Sequence, residues 1–273
     1  MNYIEGQGAR IPALGLGTFQ LDGGTTRRMV GHALATGYRH IDTAQMYGNE
    51  AEVGAAIAGS GVPRDEIWLT TKIWPDNFRD GALQRAAETS VRRLRTAPDL
   101  LLLHWPNPSV PLAETVRALN DAKRRGLARH IGVSNFTVAL IQEALARSED
   151  PLIADQVEYQ PYLSQAAVLE ELRANGMALI AYTPLAHGHV FSDATLARIG
   201  AQHGKNPGQV TLRWLIQQTG VAAIPRSSRE AHAEANLAIF DFALSAAEMA
   251  EISALAHVRG RQVDPGGVAP RWD

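Results

Sequence analysis

The chain has 273 residues, 45% apolar and 20% charged, with a formal net charge of −2. That near-neutral balance, with no long basic run, excludes an electrostatic footprint for nucleic acid, and the absence of cysteine excludes disulfides, thiolate nucleophiles and cysteine metal sites. No stretch approaches the ~20 apolar residues of a membrane span, and Met1-Asn2-Tyr3-Ile4-Glu5-Gly6-Gln7 lacks the parts of a secretory signal, so a cytoplasmic protein is expected.

Short β-type runs alternate with longer helical patterns, as in a parallel sheet with helical crossovers. The runs lie near residues 13–17, 38–42, 67–72, 99–104, 129–133, 153–158, 178–182 and 221–224. Eight of them favour a closed (β/α)8 barrel, a TIM barrel, and no composition break divides residues 1–273 into two domains. In the first run, Gly15-Leu16-Gly17 lacks the third glycine of a dinucleotide fingerprint. Gly37 is expected to stop the first helix and Asn49 to cap the second, with Glu52 at the capping-box position. Arg92-Arg93-Leu94-Arg95 ends a helical pattern, where basic residues complement the helix dipole. Gly126 and Gly176 read as further helix stops. His187-Gly188-His189 has no evident third ligand, so no metal site is expected. Asn206-Pro207 opens a helix through Trp214. The glycine- and proline-rich tail, residues 263–270, is expected to lie over the barrel mouth.

The chemistry gathers at strand ends. Asp42, Lys72 and His104 each close an apolar run, and Tyr47 lies five residues beyond the first. In a parallel barrel those ends open onto one face, so residues far apart in sequence converge. A phenol near ~10 is a poor acid at neutral pH, and a lysine ammonium beside it is expected to lower that value. Asp42 would hold the lysine charged, and His104 would orient a substrate oxygen and share its developing charge. Each residue alone also fits a plainer role: a turn-capping aspartate, a core histidine, a surface lysine. Ser134, Asn135 and Gln156 add a hydroxyl and two amides after later strands. Tyr182 adds an aromatic face, and Ile224-Pro225-Arg226-Ser227-Ser228 follows strand eight, where barrel enzymes often bind phosphate. That set suits a nicotinamide dinucleotide, with packing for Tyr182 and helix capping for Ser227 and Ser228 left open.

These residues carry a resemblance. GLGTF at 15–19, HIDTAQMYGNEAEVG at 40–54, TTKIW at 70–74, LLLHWP at 101–106, IGVSNF at 131–136, QVEY at 156–159, AYTPL at 181–185 and IPRS at 224–227 resemble the aldo-keto reductase superfamily over essentially the full length. The resemblance implies a barrel enzyme reducing carbonyls with NADPH. It implies Tyr47 as general acid, Lys72 and Asp42 as its tuning partners, and His104 as orienter of the carbonyl. Ser134, Asn135 and Gln156 fall where the family holds the nicotinamide carboxamide, and Tyr182 where it stacks on the ring, with Thr183 and Leu185 beside it. Arg226, Ser227, Ser228, His232 and Asn236 fall at the adenosine end. Phe19, Trp74 and Trp105 are expected to wall a compact substrate pocket. The ending VDPGGVAPRWD is similar to the bacterial 2,5-diketo-gluconate and methylglyoxal reductases.

Some positions depart from that pattern. Gln160 stands where many relatives have histidine, Phe19 where tryptophan is frequent, and Arg226 where lysine is common. His232 replaces an arginine that grips the adenosine 2′-phosphate, and Ala235 a common glutamate. An imidazole gives only part of a charge at neutral pH, so NADH is expected as a weaker alternative.

The leading expectation is a monomeric NADPH-dependent reductase of small aldehydes, ketoaldehydes or keto-sugars. The chain ends soon after Trp272, without the long extension that builds an apolar pocket for steroids. A redox-sensing subunit that binds NADPH with little turnover is the alternative, disfavoured by the intact Asp42, Tyr47, Lys72 and His104. A Schiff-base aldolase with Lys72 as nucleophile is disfavoured by Asp42, which would stabilise the unreactive ammonium.

Overall fold

The computed structural model describes residues 2–273. It begins with an antiparallel hairpin, β1 (Tyr3–Gly6) and β2 (Ala9–Pro12). Eight parallel strands then follow in chain order. They are β3 (Leu16–Gly17), β4 (His40–Asp42), β5 (Trp68–Ile73), β6 (Leu100–Leu103), β7 (His130–Ser134), β8 (Leu152–Glu158), β9 (Ala178–Tyr182) and β10 (Val221–Ala223). The last strand returns to the first. Leu14 bridges Ala223, Gly17 bridges Arg226, and the Gly15 N–H donates to the Ala223 carbonyl at 2.8 Å. The result is a (β/α)8 barrel, as the alternation of runs implied.

The crossovers are helical: α1 (Gly23–Thr36), α2 (Glu50–Gly59), α3 (Ala82–Leu94), α4 (Leu112–Arg124), α5 (Val138–Arg147) and α6 (Ala166–Ala174). Two helices, α7 (Ala194–His203) and α8 (Pro207–Ile216), precede β10; α9 (Glu230–Leu237) and α10 (Ala246–Ser253) follow it. Period-two alternation sorts each strand between two cores. On β6, Leu101 and Leu103 face the helices, while Leu100 and Leu102 fill the barrel with Trp68, Ile153, Ile180 and Ala222. The hairpin plugs the bottom of that inner core with Ile4, Ala9 and Ile11. Gly6 permits the close approach, since a Cβ there would sit 2.4 Å from the Ile153 carbonyl oxygen. This plug was not anticipated from the sequence.

The helix ends read from the sequence follow their capping chemistry with one exception. Asn206 and Gln209 exchange reciprocal bonds at 3.0 Å, a capping box with Pro207 behind it. Gly37 stops α1 at φ 109°, a left-handed turn that a side chain would strain. Gly126 and Gly176 are likewise left-handed after α4 and α6. Asn49 departs from expectation. α2 does begin at Glu50, but the Asn49 side chain makes no cap bond. It accepts from Thr43 Oγ1 at 2.8 Å and donates to the Thr18 carbonyl at 2.9 Å. Buried tertiary partners outcompete the local N–H, because an unmet buried polar group costs more than a frayed helix start.

Candidate active site

The barrel register assembles the site. Asp42 pairs with Thr70, so Lys72 stands two residues higher on the same inward face. His104 follows Leu103 one residue beyond β6. Lys72 is fully buried, and its Nζ donates to Asp42 Oδ1 at 2.5 Å, the Thr43 carbonyl at 2.9 Å and Tyr47 Oη at 3.4 Å. Three acceptors for three N–H groups make a buried ammonium tolerable. Tyr47 ends a 3₁₀ turn, Gln45–Tyr47, closed by the left-handed Gly48 at φ 70°. Its ring lies 5.0 Å from that of Phe19 and 5.7 Å, edge-on, from His104. Trp74 meets His104 edge-on at 5.3 Å. The four residues expected to act together do share one place.

Their electrostatics differ from expectation. Burial, reinforced by the Asp42 carboxylate, pushes the Tyr47 phenol well above its usual range. The ammonium was expected to lower it. Withdrawal from water dominates instead, and the carboxylate on the far side of Lys72 opposes a phenolate. Burial lowers the Lys72 pKa, with Asp42 acting against it. Burial, and then Lys72, hold His104 well below the normal imidazole range, so it is neutral. Its Nδ1 is buried without a hydrogen-bond partner.

A polar belt continues from Asp42 around the mouth. Gln156 Nε2 donates to Asp42 Oδ2 at 2.8 Å, which leaves its Oε1 as the free acceptor. Ser134 Oγ donates to the Gln156 carbonyl at 2.7 Å. Asn135, left-handed at φ 64°, donates through Nδ2 to the His104 carbonyl at 3.0 Å and to Ser134 Oγ at 3.1 Å. Tyr182 Oη donates to Asn135 Oδ1 at 2.7 Å. Beyond it, Thr183 is left-handed at φ 48° and Leu185 packs partly buried on the outer core.

The residues expected at the adenosine end lie apart from this belt. Arg226 is exposed, has no carboxylate partner among the described residues, and donates to the carbonyls of Phe19 and Gln20 at 3.3 and 3.0 Å. Ser227 Oγ is occupied locally, donating to the Arg229 carbonyl at 2.7 Å and accepting from its N–H; these bonds close a turn ahead of α9, whose N-cap is Arg229 with no side-chain cap bond, so Ser227 is not a helix cap. Ser228 is half-buried, His232 is exposed on α9, and Asn236 is buried four residues on. Trp105 is buried against Trp272.

His187 and His189 are exposed on a 3₁₀ run, Ala186–Ser192. Among the described residues no group of three or more His, Cys, Asp or Glu could hold a metal ion. No helix there is long and apolar enough to cross a membrane. Three contributors escaped the sequence reading. The Thr43 carbonyl is main chain and leaves no residue-type signal. Glu158 ends β8 and Gln160 lies two residues beyond it, both buried; the sequence marks Gln160 only as a departure from the family pattern, and the tail partners of both lie about a hundred positions away.

This barrel and strand-end cluster coincide with a sequence match over residues 13–257 to the aldo/keto reductase family, to which the chain belongs. It is 43% identical over 267 residues to the methylglyoxal reductase DkgB of Salmonella typhimurium, covering 96% of this chain and 99% of that protein. Among solved structures it is similar to a protein assigned as 2,5-diketo-D-gluconic acid reductase B, with a TM-score of 0.98, 49% identity and coverage of 100% and 98%. It is also similar to a Bombyx mori aldo-keto reductase in complex with NADP, with a TM-score of 0.88, 32% identity and coverage of 95% and 94%. The chain is thus an oxidoreductase of a carbonyl-reducing family.

Proposed function

We propose that this protein reduces small aldehydes, ketoaldehydes or keto-sugars to alcohols with NADPH, and that Tyr47 delivers the proton. The contact chain Asp42–Lys72–Tyr47, beside a neutral His104, is the observation that carries this reading. A phenol held above its usual range is fully protonated at neutral pH and releases its proton only to a strong base, such as a forming alkoxide. Lys72, 3.4 Å from the phenol oxygen, stabilises the phenolate as it appears. Asp42 fixes the lysine. The uncharged imidazole of His104 offers a hydrogen bond to the carbonyl oxygen without adding a second positive charge to the site.

The cofactor fits the residues present. Bound NADPH would supply the reducing equivalents. Gln156 Oε1, with its amide nitrogen already committed to Asp42, suits the carboxamide of a nicotinamide, with Ser134 and Asn135 beside it and Tyr182 as the ring platform. Arg226, exposed and without a carboxylate, is available to a 2′-phosphate near Ser228 and His232. The Bombyx mori relative with bound NADP supports the same choice. NADH should serve less well, through loss of the phosphate contacts. Phe19, Trp74 and Trp105 give the pocket compact aromatic walls suited to small substrates.

NADPH oxidation followed with methylglyoxal, a keto-sugar and a steroid ketone tests the reading. The expected order of kcat/KM places methylglyoxal and the keto-sugar above the steroid. A steroid preference would overturn the substrate class. Tight NADPH binding with no turnover on any carbonyl would instead favour a sensing subunit.

A further inference from the structure

Glu158 closes β8 at the barrel mouth with its side chain wholly buried; it makes no salt bridge among the described residues, although the Arg261 guanidinium of the tail is close enough to feel its charge. A buried carboxylate without a direct ion pair is costly unless N–H groups solvate it. Here the donors come from the C-terminal tail. The Gln262 N–H lies 2.9 Å from Oε1 and the Val263 N–H 2.9 Å from Oε2. Gln160, also fully buried, donates to the Gly260 carbonyl at 2.8 Å and accepts from the Tyr162 N–H at 2.7 Å. Gly260 is pressed so tightly into place that a Cβ would fall 1.7 Å from the Tyr162 carbonyl oxygen. None of these bonds builds a strand or a helix. Their common effect is to hold residues 260–263.

What they hold bears on the pocket. The Arg261 guanidinium stacks 3.5 Å over the Trp272 ring, and Trp272 Nε1 donates to Asp264 Oδ1 at 2.9 Å. Trp272 meets the edge of Trp105, the residue after His104, at 6.1 Å. The far end is tied as well, by the Val138 N–H on Asp273 Oδ2 at 3.0 Å. The tail has no helix or strand of its own, so these few contacts set its position.

We propose that Glu158 and Gln160 form a socket that latches the tail across the barrel mouth, making both residues positioning residues for Trp272, which packs against the Trp105 wall of the substrate site. The consequence for substrate choice rests on the reductase reading above; the latch itself does not. Charge-assisted bonds from two backbone N–H groups to one carboxylate are the strong kind. Glu158→Gln keeps the shape but removes the charge and turns an NH₂ toward a backbone donor.

Trypsin reads the latch directly, because the Arg261–Gln262 bond lies within the clamped segment. In the native wild type this bond should resist cleavage. In Glu158→Gln, release of a fragment beginning at Gln262 should quicken by at least about tenfold while the rest of the chain stays intact, the mark of local rather than global opening. Gln160→Ala, which spares the carboxylate, should do the same more weakly and covers the case in which the first variant fails to fold. In turnover assays, KM for methylglyoxal should rise with kcat little changed, and bulkier carbonyls should gain relative to it. Equal tail protection in wild type and a folded variant, or prompt cleavage after Arg261 in the wild type, would overturn the latch. If the tail is released as expected but no carbonyl is reduced by the wild type, the latch stands and the reductase reading fails.

Discussion

His40 lies two residues below Asp42 on the inward face of β4, sealed from water, with Nδ1 3.2 Å from the Pro12 carbonyl. Burial lowers its pKa more than the nearby Asp42 raises it. Between that lowered value and the unfolded value near ~6.5 the native state binds fewer protons than the unfolded chain. The histidine's contribution is therefore complete above the unfolded value and is lost as pH falls through the interval. Asp155 works the other way: burial raises its carboxyl well above the usual range, so acidification relieves it. A substitution separates the two. Denaturant titration at about pH 7.5 and about pH 5 should show wild type losing more stability than His40→Gln over that range. Equal losses would mean that His40 keeps an ordinary imidazole pKa. The same withdrawal from water explains why Tyr47 moved opposite to expectation. Its neighbours were readable from the sequence; how far the walls around a half-buried ring shield its hydroxyl was not.

At the scale of elements, helix packing makes two glycines respond differently to one change. Gly31 lies in α1 with nothing within 4 Å of an added Cβ, whereas at Gly54 in α2 that atom would meet the Leu94 carbonyl oxygen at 2.5 Å. Gly31→Ala should gain roughly 0.5–1 kcal/mol by restricting the unfolded chain. Gly54→Ala should lose about 1–3 kcal/mol by forcing α2 off α3. Denaturation midpoints measure both, and a reversed order would contradict the packing described. The eight barrel strands were legible because each is a short apolar run between helical patterns. The capping box at Asn206 was legible because its partner is three residues away. The hairpin plug was not, since β1 and β2 alternate with exposed residues and their target is the barrel floor. Asn49 misled for the related reason that its partner Thr18 lies 31 residues back.

At the scale of the whole molecule, the barrel turns sequence distance into spatial convergence. Asp42, Lys72 and His104 come from three strands, and register alone puts the first two on one inward face. The eight-strand closure also brings Arg226 within 3.0 Å of the Gln20 carbonyl, 206 residues away, so the segment proposed to take the adenosine end and the Phe19 wall share one seam. Strand-end placement was visible in the sequence because the alternation was regular. The tail's route to Glu158 was not, because it depends on loops whose path no periodicity encodes. In the proposed function this geometry makes Tyr47 the proton donor. Tyr47→Phe, measured for NADPH affinity and methylglyoxal turnover in one preparation, tests it most directly. Turnover should fall by at least ~10²-fold, the scale of general-acid catalysis, while the NADPH Kd stays within about twofold. Turnover close to wild type would contradict the account.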